Sequence, residues 1–136
     1  MKKILIVQPW KTFNKSASNS ISMICKGLEK RNIKVDLISL QELLFIFGSK
    51  GTEVVCNGKT LNLKKYDLVY FRTVGSFKNS AFILAEILRR KKIKFFDRYI
   101  LEIGDTTKPC QMFLLSENGI RIPKTIFSKT YNPNKV

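Results

Sequence analysis

The sequence has no histidine. Zinc sites of the Cys/His kind and catalytic triads built on imidazole are therefore excluded. Cysteine is scarce: Cys25, Cys56 and Cys110 are odd in number, far apart and never in a CxxC pair. They read as small hydrophobes kept reduced. Long apolar runs are missing too, and none approaches the roughly 20 residues that a membrane-crossing helix needs. The basic start MKK is followed by apolar Ile4 to Val7 only, and Gln8 ends the run. That suits a first buried strand better than an export signal, so a cytoplasmic protein without a membrane partner is expected. Acidic residues are few, 10 against 25 Lys+Arg, for a formal charge of +15. Such a field attracts polyanions. Yet the cations are spread along the chain, and the densest run, Arg89 to Lys92 with Lys94, falls at an expected helix end, where the dipole favours it. A solvated basic surface is the expectation, and nucleic acid is not the expected partner. Phosphate-binding signatures are also absent. QPWKTFNKS stands where a GxGxxG would follow the first strand, and there is no GxxxxGK[ST] and no GxSxG.

What is present is an alternation of strands and helices in 136 residues, enough for one domain with a real core. Residues 2–8 read as a buried strand, and 11–19 as a polar loop in which Ser18 or Ser20 can cap a helix. Ile21, Ile24, Cys25 and Leu28 then form one apolar helical face, ending near Arg31-Asn32. Residues 34–39 complete a β-α-β unit with a right-handed crossover. Residues 40–47 read as a short helix or a packed loop. Asn57-Gly58 signals a small hairpin outside the main sheet. A strand over 66–72, a helix from Ser76 or Asn79 to about Lys91, a strand over 93–96 and one or two helical turns over 97–103 follow. A helix behind Lys108 stops at Gly119, and the last strand covers 124–128. The expected fold is one three-layer α/β domain over residues 1–128. It has a mainly parallel central sheet of about five strands and a small hairpin, with 129–136 as a tail or linker. In such sheets ligands bind beyond the carboxyl ends of the strands.

The order and spacing of three elements carry a resemblance over about residues 2–128. A hairpin precedes the strand Tyr66-Asp67-Leu68-Val69-Tyr70-Phe71-Arg72. Lys108 opens a helix with Leu115 seven residues on. Gly119-Ile120-Arg121-Ile122-Pro123-Lys124-Thr125 leads into a strand. Together they resemble the pre-ATP-grasp domain at the N-terminus of ATP-grasp ligases. The branch most like it adds amino acids to protein or peptide carboxylates, the ribosomal-protein-S6 modification type. The resemblance implies a Rossmann-like fold and a carboxylate–amine ligase that uses ATP and Mg2+ to form an acyl phosphate. Later segments, a missing ATP-grasp domain in cis or trans, would supply nearly all nucleotide and metal contacts. No turnover and no bound cofactor are then expected of these 136 residues alone, and no catalytic residue or metal ligand is assigned among them.

The same resemblance implies that Lys108 reaches an ATP phosphate. Pro109 argues that Lys108 sits at or before the helix cap, with Thr106 or Thr107 supplying the cap oxygen. Arg72, Trp10 and Asp97 are the candidate substrate-binding residues, for an acidic peptide or protein carboxylate. Each also has a structural reading: Arg72 paired with Asp97, Trp10 covering the core, Asp97 capping a helix. Phe95 and Phe96 read as one buried strand. Two other functions stay open: a partner- or peptide-binding module without catalysis, and half of a glycosyltransferase-like enzyme, whose start would suit KKILIVQPW equally well.

Overall fold

The apolar run at Ile4 to Val7 becomes the centre of a parallel sheet. In the computed structural model, which describes residues 1–10, 20–103 and 107–129, β1 (Lys3–Gln8) lies between two parallel neighbours. These are β2 (Lys34–Ser39) and β6 (Leu68–Phe71), and β7 (Phe95–Phe96) extends the sheet beside β6. The order is β2-β1-β6-β7. Leu5, Ile6 and Val7 are wholly buried because both faces of β1 are covered. Helix α1 (Ser20–Glu29) joins β1 to β2, and α2 (Lys78–Arg90) joins β6 to β7. The two crossovers run in opposite directions from the sheet centre. With right-handed connections they therefore lie on opposite faces. The expected loop at 11–19, the caps Ser18 and Thr106 and the tail from Tyr131 fall outside the described residues.

The expected five-stranded sheet is instead two sheets of four. The second is antiparallel, in the order β5-β4-β3-β8: β3 (Leu43–Gly48), β4 (Gly51–Cys56), β5 (Lys59–Thr60) and β8 (Thr125–Phe127). The strand expected over 124–128 exists, but as β8 it pairs antiparallel with β3 rather than joining the parallel sheet. Residues 40–47 hold one 3-10 turn, Leu40–Glu42, and then β3, not a helix. The reason is visible in β3. Leu43, Phe45 and Phe47 are buried, while Leu44 and Ile46, on the other face, are apolar as well. An all-apolar run hides its period of two. The Asn57-Gly58 turn forms as expected, with φ of 51° and 73°, between β4 and β5. It is one corner of a sheet that also contains the β3–β4 hairpin, turned at Ser49-Lys50.

Helix α2 holds the two halves together. Every residue from Ser80 to Leu88 is buried, so the helix is enclosed around its circumference. The parallel sheet, the 3-10 segment Arg98–Ile103 and α3 (Lys108–Glu117) surround it, and α3 also rests on β3 and β4. Phe45, Phe47, Phe77 and Phe113 are fully buried in this shared core, each contributing about 1.5–3 kcal/mol by leaving water. By contrast α1 buries no residue completely, and its face Ile21, Ile24, Cys25, Leu28 is only half covered. Phe96 departs from expectation in the same way. Phe95 is buried, but Phe96 is 61% exposed on the opposite face, its ring tilted against that of Tyr70 with centroids 5.7 Å apart.

Helices α1, α2 and α3 end alike. Asn32, Lys92 and Gly119 have positive φ (57°, 55° and 74°), and an isoleucine follows each. The Ile33, Ile93 and Ile120 N–H groups reach back to the carbonyls of Leu28, Leu88 and Leu115. This is the Schellman termination, which satisfies carbonyls the helix leaves open. The starts differ from expectation. Neither Ser76 nor Asn79 caps α2; Phe77 holds the cap position, without a side-chain hydrogen bond. Ser20 is the first residue of α1 rather than its cap.

Candidate functional site

Because the four strands of the first sheet are parallel, their carboxyl ends share one edge. At that edge, beyond β6 and β7, lies a cleft of about 460 Å³. Phe71, Val74 and Ile100 give it apolar walls. Arg72 and Thr73 enter it from the end of β6, Lys78 from the first turn of α2, and Asp97, Tyr99 and Glu102 from the segment after β7. Two cations and two carboxylates balance by formal charge. The positive bias comes from the N-terminal ends of α1 and α2, which point to this same edge because each helix follows a strand that ends there.

Arg72 is fixed through its backbone and one fork of its side chain. Its N–H extends the ladder to the Val7 carbonyl at 2.9 Å. One terminal nitrogen donates to Ser20 Oγ at the start of α1. Its Nε–H is buried and has no hydrogen-bond partner among the described residues. A donor left this way costs about 1–3 kcal/mol, more for a charged group, and such exceptions call for a specific cause. Arg72 and Asp97 line one cleft, but the possible Arg72–Asp97 pairing is not the contact made. Asp97 Oδ1 instead accepts the Tyr99 N–H at 2.9 Å, which is the capping role open to it from the sequence.

The other expected residues sit around this cleft rather than in it. Trp10 follows β1 and is 48% exposed. It packs edge-on against buried Phe77, 4.7 Å between centroids. Lys129 Nζ lies 4.8 Å from the centroid of the same Phe77 ring and donates to the Ser76 carbonyl. The loop 73–77 is thus held between the end of β1 and the far side of the chain. Gly75 (φ 52°) lets it lie against Pro9, whose Cβ would be 3.3 Å from a side-chain carbon at that position.

Lys108 is exposed and is the first residue inside α3, not at or before its cap. Thr107 is the cap residue, and its carbonyl accepts the first helical bond from the Gln111 N–H at 3.0 Å. Pro109 falls among the first four positions, where no N–H has an intrahelical partner, so the proline removes no bond. Cys110 Sγ lies 3.9 Å from the Asn79 carbonyl, which puts the first turn of α3 beside the first turn of α2. Lys108 is therefore at the carboxyl edge, but it does not line the cleft.

Lys78, Tyr99 and Glu102 were not singled out from the sequence. Their signal was position alone, directly after the strands over 66–72 and 93–96. No group of three or more Cys, Asp or Glu among the described residues is placed to hold a metal ion. Cys25 is held above the usual thiol range by burial and by the nearby Glu29 charge, so it remains a protonated, small apolar group at neutral pH. No helix among the described residues is long and apolar enough to cross a membrane. No family model matches the sequence, and neither a curated protein nor a solved structure matches it.

Proposed function

We propose that the carboxyl-edge cleft binds a carboxylate of an acidic peptide or protein. We further propose that the chain serves as the N-terminal domain of an ATP-grasp-type carboxylate–amine ligase. One observation carries the first part: Arg72 lines the cleft, and its buried Nε–H has no acceptor among the described residues. A guanidinium fork matches a carboxylate in plane and spacing, so the ligand meets a donor set already in place. The apolar walls from Phe71, Val74 and Ile100 exclude water around that contact and strengthen it. Exposed Tyr99 offers a ring to the ligand's stem.

The ligase reading rests on the resemblance of the motif order, and the arrangement at the edge is compatible with it. β6 runs into Arg72, Lys108 opens α3, and residues 119–124 lead into β8, which pairs with β3 in the antiparallel sheet. Bound ATP with Mg2+ would supply the phosphoryl group that activates the carboxylate. Lys108, an exposed ammonium on a helix N-terminus, suits a phosphate. The described residues provide no ligand set for the metal. In this reading Arg72 binds and orients the carboxylate, Lys78 adds positive potential, and Lys108 waits for phosphates held by other segments.

Calorimetric titration with a short peptide ending in glutamate tests the reading. Wild type should bind it, Arg72→Lys should weaken it several-fold, and Arg72→Ala should lose at least about tenfold, the 1.5–3 kcal/mol of a charge-assisted hydrogen bond. Equal binding by Arg72→Ala, or ATP-dependent ligation by the purified chain alone, would contradict it.

A further inference from the structure

The cations that look scattered along the sequence are gathered by the fold at the opposite, amino edge of the parallel sheet. Each strand of that sheet is entered through lysine: Lys2 and Lys3 at β1, Lys34 at β2, Lys64 and Lys65 before β6, and Lys94 before β7. Backbone bonds lock this row together. The Lys34 N–H donates to the Lys2 carbonyl, the Asp67 N–H to that of Lys3, and the Val69 N–H to that of Lys94, at 2.9–3.0 Å. The helices add to it because both end here. Lys30 and Arg31 follow α1, and Arg89 to Lys92 close α2. Apart from Lys3 and Arg90, which are half-buried, these side chains are exposed.

Of the carboxylates at this edge, Glu29 at the end of α1 is exposed, and Asp36, Asp67 and Glu86 are engaged. Asp36 accepts from Tyr66 at 2.7 Å and pairs with Lys3 at 2.9 Å and Lys65 at 3.6 Å. Asp67 accepts the Lys3 N–H, and Glu86 is held by Arg89 and Arg90. Neighbouring strands are about 4.8 Å apart, so the lysine row spans roughly 15 Å with helix-end cations on both sides.

We propose that this amino edge is a binding surface for the phosphate backbone of nucleic acid, independent of base sequence. The expectation against nucleic acid rested on the linear spread of the cations, which the parallel topology undoes. The partner's chemistry follows from what the edge offers. It has many exposed point charges close together, which a tethered row of phosphates engages at once with release of counterions. Among the exposed large apolar side chains of the described residues, only Met1 stands at this edge. A membrane would find little to insert, and a protein partner would lack the apolar anchor that interface cores require. Among the described residues no exposed aromatic ring is there to stack a base. The proposal does not depend on the reading of the cleft, which lies at the other end of the strands.

Fluorescence anisotropy with a labelled mixed-sequence duplex of about 20 base pairs tests it. Between about 50 and 200 mM salt, engagement of about five phosphates predicts that affinity falls several-hundredfold. The triple variant Lys34→Glu, Lys64→Glu, Lys94→Glu should bind at least about tenfold more weakly at about 100 mM salt, where the screening length is about 10 Å. The milder triple Lys34→Gln, Lys64→Gln, Lys94→Gln should fall between it and wild type, and it serves if the reversal impairs folding by circular dichroism. A matched reversal on the other sheet and its approach, Lys50→Glu, Arg121→Glu, Lys124→Glu, changes net charge equally and should weaken binding no more than about threefold, since distant charges are screened. Equal loss in both reversals would overturn the proposal by showing a diffuse net-charge effect. Failure to bind the duplex at low salt would overturn it too, as would binding only to phosphatidylserine vesicles.

Discussion

Asp36 and Tyr66 show how single residues set the chain's response to pH. Burial alone would raise the Asp36 carboxyl. Hydrogen bonds from Lys3 and Tyr66, with the charges of Lys3 and Lys65, outweigh it and leave the group below its ordinary value of 3.8. The carboxylate therefore stabilises the fold above that value, and the contribution is lost as pH falls through the lower folded value. Tyr66 is raised above its ordinary 10.0 by burial first, then by its hydrogen bond and charge interaction with Asp36. Its contribution is present in full below about pH 10 and is lost as pH rises beyond it. Tyr66→Phe removes the hydroxyl and leaves Asp36 its lysines. Denaturant unfolding at pH 7 should show a loss of about 1–2 kcal/mol. The gap between variant and wild type should narrow from pH 10 upward. A constant gap across that range would show that the phenol is not the titrating partner.

At the scale of elements, the loop 73–77 links the core to the cleft. Arg72 precedes it and Lys78 follows it, and it holds Phe77 beneath Trp10. Gly75→Ala would place a Cβ 3.3 Å from Pro9 Cβ, at a φ of 52° that L-residues rarely adopt. The expected cost is about 1–2 kcal/mol in unfolding free energy. Because the loop must shift from Pro9, the fluorescence of Trp10, the sole tryptophan, should change as well. A variant with unaltered stability and emission would mean that the loop is not seated on Pro9. Strands with a clear period or flank, such as β1, β2 and β6, could be located from sequence, as could the Asn57-Gly58 turn and the Gly119 stop. β3 could not, since Leu44 and Ile46 made both of its faces apolar. The helix stops at Asn32 and Lys92 use the same bonds as Gly119 but lack glycine, so their signal was weaker.

The whole molecule is polar along its parallel strands. One edge gathers helix N-termini, Arg72 and a half-apolar cleft; the other gathers the lysines that open each parallel strand and the cations that close α1 and α2. Neither grouping is a motif in the linear sequence. Arg72 and Asp97 were legible as strand-end residues, but their shared cleft, and the absence of a pairing between them, depend on β6 and β7 being neighbours. Lys108 was placed near the same edge by its helix, yet its distance from the cleft lining came from α3 packing on α2. The basic edge was invisible because its members lie up to 92 residues apart, from Lys2 to Lys94.

The account turns on where an acidic ligand binds. The direct measurement is a nitrogen-15 NMR titration of the chain with the glutamate-terminated peptide, at about 150 mM salt to screen the exposed lysines. The account predicts saturable shifts at the amides of Arg72, Thr73, Lys78 and Tyr99, absent in Arg72→Ala, with the strand entries at Lys2, Lys34 and Lys94 unmoved. Shifts confined to those lysines, or the same cleft shifts in Arg72→Ala, would contradict it.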